Sequence, residues 1–375
     1  MNASAPPAPG PRTAARPRIG VDVSKLAEAA DLRPPAVLRR IAELGLDGAF
    51  FRSALDLSPT LDSGELRDVV ALAAELGLYL EVGTAKVNPF ATPEAPHIRA
   101  LGDGDYLRGL ARVIRACASA DIRELWTATA NYQFHIPGIY ACDRFRTDVA
   151  WSDQLAATAG VLRSLAPVLR DAGAHLNLET HEEITTFEVV RLVEDAGPDA
   201  FGICLDTANV LVRGEDPVEA ARRVAPYVRQ TQLRDAALLP TENGIGRFLA
   251  PCGEGVVDWA GVLGVLVTHA PLATWSIEGV VGRRGEMTLY VDEPVWHAAH
   301  PDLTTAELAE LNRLTHAYAQ RAARGQAPGL EELRSPVTPD ASLDFITDSA
   351  AYLRTLVPGL EPSTASTAIP MEAAL

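Results

Sequence analysis

The feature that most constrains this chain is an alternation repeated eight times. A short run of β-branched and apolar residues gives way to a longer stretch with apolar residues three and four apart, and the pair then recurs. The runs are Arg18 to Val23, Leu46 to Arg52, Leu78 to Gly83, Ile122 to Ala128, His175 to His181, Phe201 to Asp206, Val228 to Leu233 and Thr274 to Gly279. Helical patterns lie between them, among them Val37–Leu44, Glu65–Leu76, Tyr106–Ala118, Ala156–Ala172, Thr186–Ala196 and Trp259–Val267. Several stop at glycine, as at Leu76-Gly77 and Ala172-Gly173. Strict alternation demands parallel strands joined by helical crossovers, and eight such units close into an α/β (β/α)8 TIM barrel. The competitor, an open doubly wound sheet, would carry a glycine-rich phosphate loop after its first strand, whereas Val23 is followed by Ser-Lys-Leu-Ala-Glu-Ala-Ala.

This reading gives one barrel domain over residues 18–356, completed by helices at Thr304–Ala323 and Ser342–Leu356. Tails 1–17 and 357–375 read as disordered. Three long connections follow strands, at Thr84 to Gly104, Thr129 to Asp148 and beyond Gly279, on the face where barrels build pockets. Set against 33 basic residues, 49 acidic ones give a net charge of −16. That balance argues against nucleic acid or an anionic membrane as partner and leaves a small molecule. Cys117, Cys142, Cys204 and Cys252 form no C-x-x-C pair, which argues against a thiolate metal cluster. With no span-length apolar run, a cytoplasmic setting is the expectation.

Four polar residues end the last four strands: Glu179, Asp206, Gln232 and Glu278. Carboxylates converging in a partly dry site repel unless a cation neutralises them, and oxygen ligands suit one hard divalent ion, Mn²⁺ or Mg²⁺. Each one singly could equally be a mouth residue bonded to a neighbouring loop.

The motifs LNLETH, C-L-D-T-A-N, Q-L-R-D, P-C-G-E-G-V-V-D-W and S-I-E-G resemble the xylose-isomerase-like barrels, the superfamily of sugar phosphate isomerases/epimerases and family 2 AP endonucleases. The resemblance covers about residues 18–279. It implies that glutamate, aspartate, histidine and glutamate on strands five to eight bind one divalent metal. Glu179, Asp206 and Glu278 match, while Gln232 stands where the histidine is expected. An amide oxygen still ligates a hard cation, but it is weaker than imidazole and cannot shuttle protons. Looser metal binding and metal-free binding both stay open. The resemblance further implies substrate contacts at His181 and Asn209; Arg234 and Lys86 are candidates for the same role. Asp258 reads as a helix N-cap.

The implied activity is isomerisation or epimerisation of a sugar or keto-sugar through a metal-stabilised enediolate, with Glu179 and Glu278 as acid and base. A lyase is the alternative, a C-glycoside deglycosidase or an inosose-type dehydratase. In it His135 serves as base while Tyr132, Phe134, Tyr140 and Trp296 accommodate an aromatic group. A third possibility is a non-catalytic sugar-binding subunit. Homo-oligomers or a second subunit are implied partners.

Overall fold

The computed structural model describes residues 17–91, 95–130, 132–133, 135–271 and 274–357. The tails at 1–16 and 358–375, and Phe134, lie outside the described residues. Eight strands form one parallel sheet: β1 (Arg18–Asp22), β2 (Gly48–Phe51), β3 (Tyr79–Gly83), β4 (Glu124–Thr127), β5 (His175–Glu179), β6 (Phe201–Asp206), β7 (Val228–Gln232) and β10 (Thr274–Ile277). Their order is β10-β1-β2-β3-β4-β5-β6-β7. A parallel bridge between Leu233 and Ile277 joins β7 to β10 and brings the sheet round on itself.

The helices form because their apolar residues recur on one stripe. Leu38, Ile41, Leu66, Leu110, Ile114 and Leu162 are fully buried against the barrel. Burial of each such side chain contributes about 1.5–3 kcal/mol. Gly173 ends the helix Trp151–Ala172 at φ 60°, a left-handed turn that returns the chain directly to β5. On the barrel floor Tyr79 lies across β2, and a Cβ on Gly48 would stand 2.3 Å from its ring. Only glycine fits there. Beside it Glu81 accepts from Thr274 Oγ1 at 2.9 Å and from Ser276 Oγ at 2.6 Å.

One segment departs from the alternation. Residues 235–250 form a hairpin, β8 (Asp235–Thr241) and β9 (Gly244–Ala250), joined antiparallel by β11 (Met287–Leu289). Its turn holds Asn243-Gly244, a hairpin signal, with Gly244 at φ 127°. This small sheet stands beside the mouth. The helix Thr305–Ala323 packs on β8, and the helix Pro339–Leu356 packs near β10, Ile346 lying against Gly279. Among the described residues no helix is long and apolar enough to cross a membrane.

Candidate functional site

Glu179, Asp206 and Gln232 are the last residues of β5, β6 and β7, and Glu278 follows β10 directly. A parallel barrel aims all four ends at one mouth. Glu179, Asp206 and Glu278 each offer an oxygen within 4.8 Å of the others, so the trio can hold one cation. All three carboxylates are buried. Glu179 accepts from Trp126 Nε1 at 2.8 Å and from Asn209 Nδ2 at 3.3 Å. One Asp206 oxygen accepts the Ala208 and Asn209 amides at 2.8 and 2.9 Å, while the other lies 2.5 Å from Arg234 Nη2.

Glu278 is held by cations. Its Oε1 lies 2.5 Å from Arg52 Nη2, 3.1 Å from Arg234 Nη1 and 3.2 Å from Lys25 Nζ, while Oε2 accepts no hydrogen bond from the described residues. Asp22 anchors Arg52 in turn, at 2.7 Å. Burial pushes the Glu278 carboxyl up, but Arg234, Arg52 and Lys25 outweigh it and hold it well below the carboxylate range. Burial raises Glu179, with Glu278 and Asp206 adding to the rise against His181 and Arg52. Two neighbouring carboxyls are thereby driven apart in acidity.

Gln232 is the unusual member. It is wholly buried, and neither Oε1 nor Nε2 has a hydrogen-bond partner among the described residues. An orphaned buried amide costs about 1–3 kcal/mol. With the unpartnered Glu278 Oε2, it marks a place where a ligand atom is wanted, and the donor set fits a hard divalent ion. Arg234 spans Asp206 and Glu278, so Arg234, Arg52 and Lys25 offset most of the charge of Glu179, Asp206, Glu278 and Asp22.

A cavity of about 290 Å³ opens over this cluster, lined by Glu179, His181, Glu182, Arg234, Arg247 and Glu278 among others. His181 lines it as expected. Its Nδ1 lies 2.6 Å from Glu182 and 2.5 Å from Glu183, which hold the ring cationic against burial. These three also stand close enough to share a metal.

Two expected substrate contacts are placed differently. Asn209 is fully buried and spans Glu179 and Arg234, so it orients those side chains and does not line the cavity. Lys86 donates to the Ala130 carbonyl outside the cavity lining, and the other lysine, Lys25, reaches Glu278.

The structure does not bring His135 to the mouth. It is exposed and lines a separate recess with Phe90, Tyr140 and Arg146. The long loop carries it outward, whereas the strand ends converge. Nor do Tyr140 and Trp296 line the cavity. Tyr140 is half exposed in that other recess, and Trp296 is buried with Cys142 and Phe145 as a small satellite core. Sequence reading missed Arg52, Lys25, Trp126 and Arg247. Asp258 caps its helix as expected, accepting from Gly261 N at 3.0 Å.

The chain is 25% identical over 115 residues to the uncharacterized protein YihM of Escherichia coli, covering 31% of this chain and 35% of that one. It is 26% identical over 226 residues to a 3-oxo-isoapionate decarboxylase of Pectobacterium atrosepticum, covering 60% of this chain and 69% of the relative. The chain thus spans about a third of the first relative's length and about two thirds of the second's. A D-psicose 3-epimerase from Clostridium cellulolyticum, solved with D-tagatose, shares the fold at TM-score 0.54 and 14% identity, over 83% of this chain and 99% of that one. Residues 38–286 match the model of the xylose isomerase-like TIM barrel, and the chain belongs to that family.

Proposed function

We propose that residues 18–356 form one catalytic domain that moves a proton on a sugar-derived ketone, as an isomerase or epimerase, with one divalent cation held by Glu179, Asp206, Gln232 and Glu278. The observation that supports this reading is the buried trio Glu179, Asp206 and Glu278, close enough to share one ion, with the orphaned Gln232 amide paired in register to Asp206 on the next strand. Oxygen donors favour Mn²⁺ or Mg²⁺, and the neighbouring arginines favour weak, exchangeable binding. When bound, such an ion supplies Lewis-acid polarisation of a carbonyl and its adjacent hydroxyl.

The chain's own groups do the rest. Glu179, oriented by Trp126 and Asn209 and raised by burial, exchanges a proton with the carbon beside the carbonyl, and Glu278, whose Oε2 has no partner among the described residues, is the second acid/base group. His181 and Arg234, both in the cavity lining, orient the substrate hydroxyls.

A second reading draws on the decarboxylase relative. There the electron pair released as CO₂ departs passes to the same carbonyl oxygen, and Glu179 then protonates the carbon. Elimination using His135 lacks support, because that imidazole lines another recess. The test is incubation with Mn²⁺ and a panel of keto sugars and 3-oxo sugar acids in D₂O. Deuterium appearing beside the carbonyl of a keto sugar is the expected result. Release of CO₂ from an oxo acid selects the second reading, and neither signal from any substrate contradicts both.

A further inference from the structure

Arg247 is unlike the other arginines of the mouth. It stands on β9, in the hairpin that the barrel alternation does not require, and is only 1% exposed. Its Nη2 points 2.8 Å from Met287 Sδ, a weak acceptor, while Nε and Nη1 have no partner among the described residues. No ion pair within 4.0 Å involves it there, whereas buried Arg144 and Arg234 hold Glu188 and Asp206 at 2.7 and 2.5 Å, and buried Arg213, which also faces no carboxylate, bonds His300 at 3.2 Å away from this cavity. Glu182, Asp206 and Glu278 reach it only at longer range. Removing a guanidinium from water without a counter-ion is costly, and a fold tolerates it where a ligand supplies the charge. Arg247 lines the same cavity as Glu179 and Glu278.

We infer that the cavity takes a sugar acid, whose carboxylate is the counter-ion that Arg247 lacks. The inference rests on the reading of this cavity as a sugar site and adds the class of sugar. Carboxylate and phosphate share the chemistry of pairing with a guanidinium. The carboxylate is favoured because Lys25, Arg52, His181 and Arg234 in the same lining already face carboxylates, which leaves the single buried charge of Arg247 for a monoanion to match.

The test is calorimetric titration of the intact protein, with and without Mn²⁺, using D-gluconate, its neutral counterpart sorbitol, and sorbitol 6-phosphate. Gluconate is expected to bind at least about tenfold more tightly than sorbitol, the scale of a hydrogen-bonded charge. Arg247→Met, which replaces a buried cation with an apolar chain of similar length, should erase that preference, and Arg247→Lys should keep part of it. Should Arg247→Met fail to fold, the partial loss in Arg247→Lys carries the test. Equal binding of gluconate and sorbitol, a preference that survives both substitutions, or no binding of any of the three overturns the assignment. Tighter binding of the phosphate overturns the carboxylate in favour of a sugar phosphate. Arg247-dependent gluconate binding without deuterium exchange or CO₂ release would sink the proposed reaction and leave this subsite standing.

Discussion

Gln232 and Asp235 stand three residues apart on one stretch of chain, both buried, and their surroundings are opposites. Asp235 accepts four hydrogen bonds, from the amides of Ala236, Val257 and Gly253 and from Trp259 Nε1, at 2.8–3.0 Å. It pins the start of the hairpin to the turn that leads into the helix Trp259–His269. Gln232 has no partner among the described residues at either polar atom. Asp235 and, on the barrel floor, Glu81 are satisfied by the fold itself. Gln232, paired in register with Asp206, keeps both amide atoms open to a ligand.

The contrast breaks most visibly at Asp235. Asp235→Ala strands four donors and should lower stability by about 4 kcal/mol, read as a shift in the urea midpoint with unchanged slope. A loss under about 1 kcal/mol would mean that the knot is incidental.

Glu81 sharpens the structural side through pH. Burial pushes its carboxyl up to about 7, against the hydrogen bonds from Ser276 and Thr274. The unfolded chain ionises this group first, so the folded state binds the extra proton between about 4.5 and 7. Its contribution is therefore complete below about pH 4.5 and fades as pH rises through 7, by up to about 3 kcal/mol. Glu81→Gln should flatten that part of the stability profile. An unchanged profile would remove Glu81 from the account.

At Gln232 the expectation reverses. Gln232→Met replaces an unsatisfied amide with an apolar chain of similar shape, so stability should hold or rise by about 1 kcal/mol. Divalent-ion affinity should nevertheless fall about 10–100-fold. Lost stability with unaltered ion affinity would make Gln232 a structural residue like Asp235. The smallest effect belongs to His135→Ala, which should change turnover by about twofold or less, since an exposed residue outside the cavity touches neither the reacting carbon nor its neighbours. A loss of about a hundredfold would restore it as a general base.

The eight barrel strands were legible because period and glycine stops repeat locally. The hairpin at 235–250 was not read, although Asn243-Gly244 marks its turn, because it interrupts a strict β/α count. The carboxylates were legible because each ends an apolar strand. Their cations were not: Arg52 follows β2, Lys25 lies in the turn after β1, and Arg247 rides on the hairpin, so only closure of the barrel brings them together. In a chain rich in arginine, nothing local distinguishes these from arginines on the surface. Trp296 is the converse case. Whether Trp296 faces a cavity or a satellite core depends on long-range packing that its own neighbours in sequence do not encode.

The central claim is that the mouth carboxylates and Gln232 hold one divalent ion. Calorimetric titration with Mn²⁺ tests it directly, on the wild-type chain and on Glu278→Gln, with circular dichroism confirming that both are folded. The account predicts one Mn²⁺ per chain, with affinity lowered in Glu278→Gln by no less than the roughly 10–100-fold that follows loss of an outer-shell partner. A folded wild-type chain that takes up no Mn²⁺, or a Glu278→Gln chain that binds it as tightly, would contradict the account.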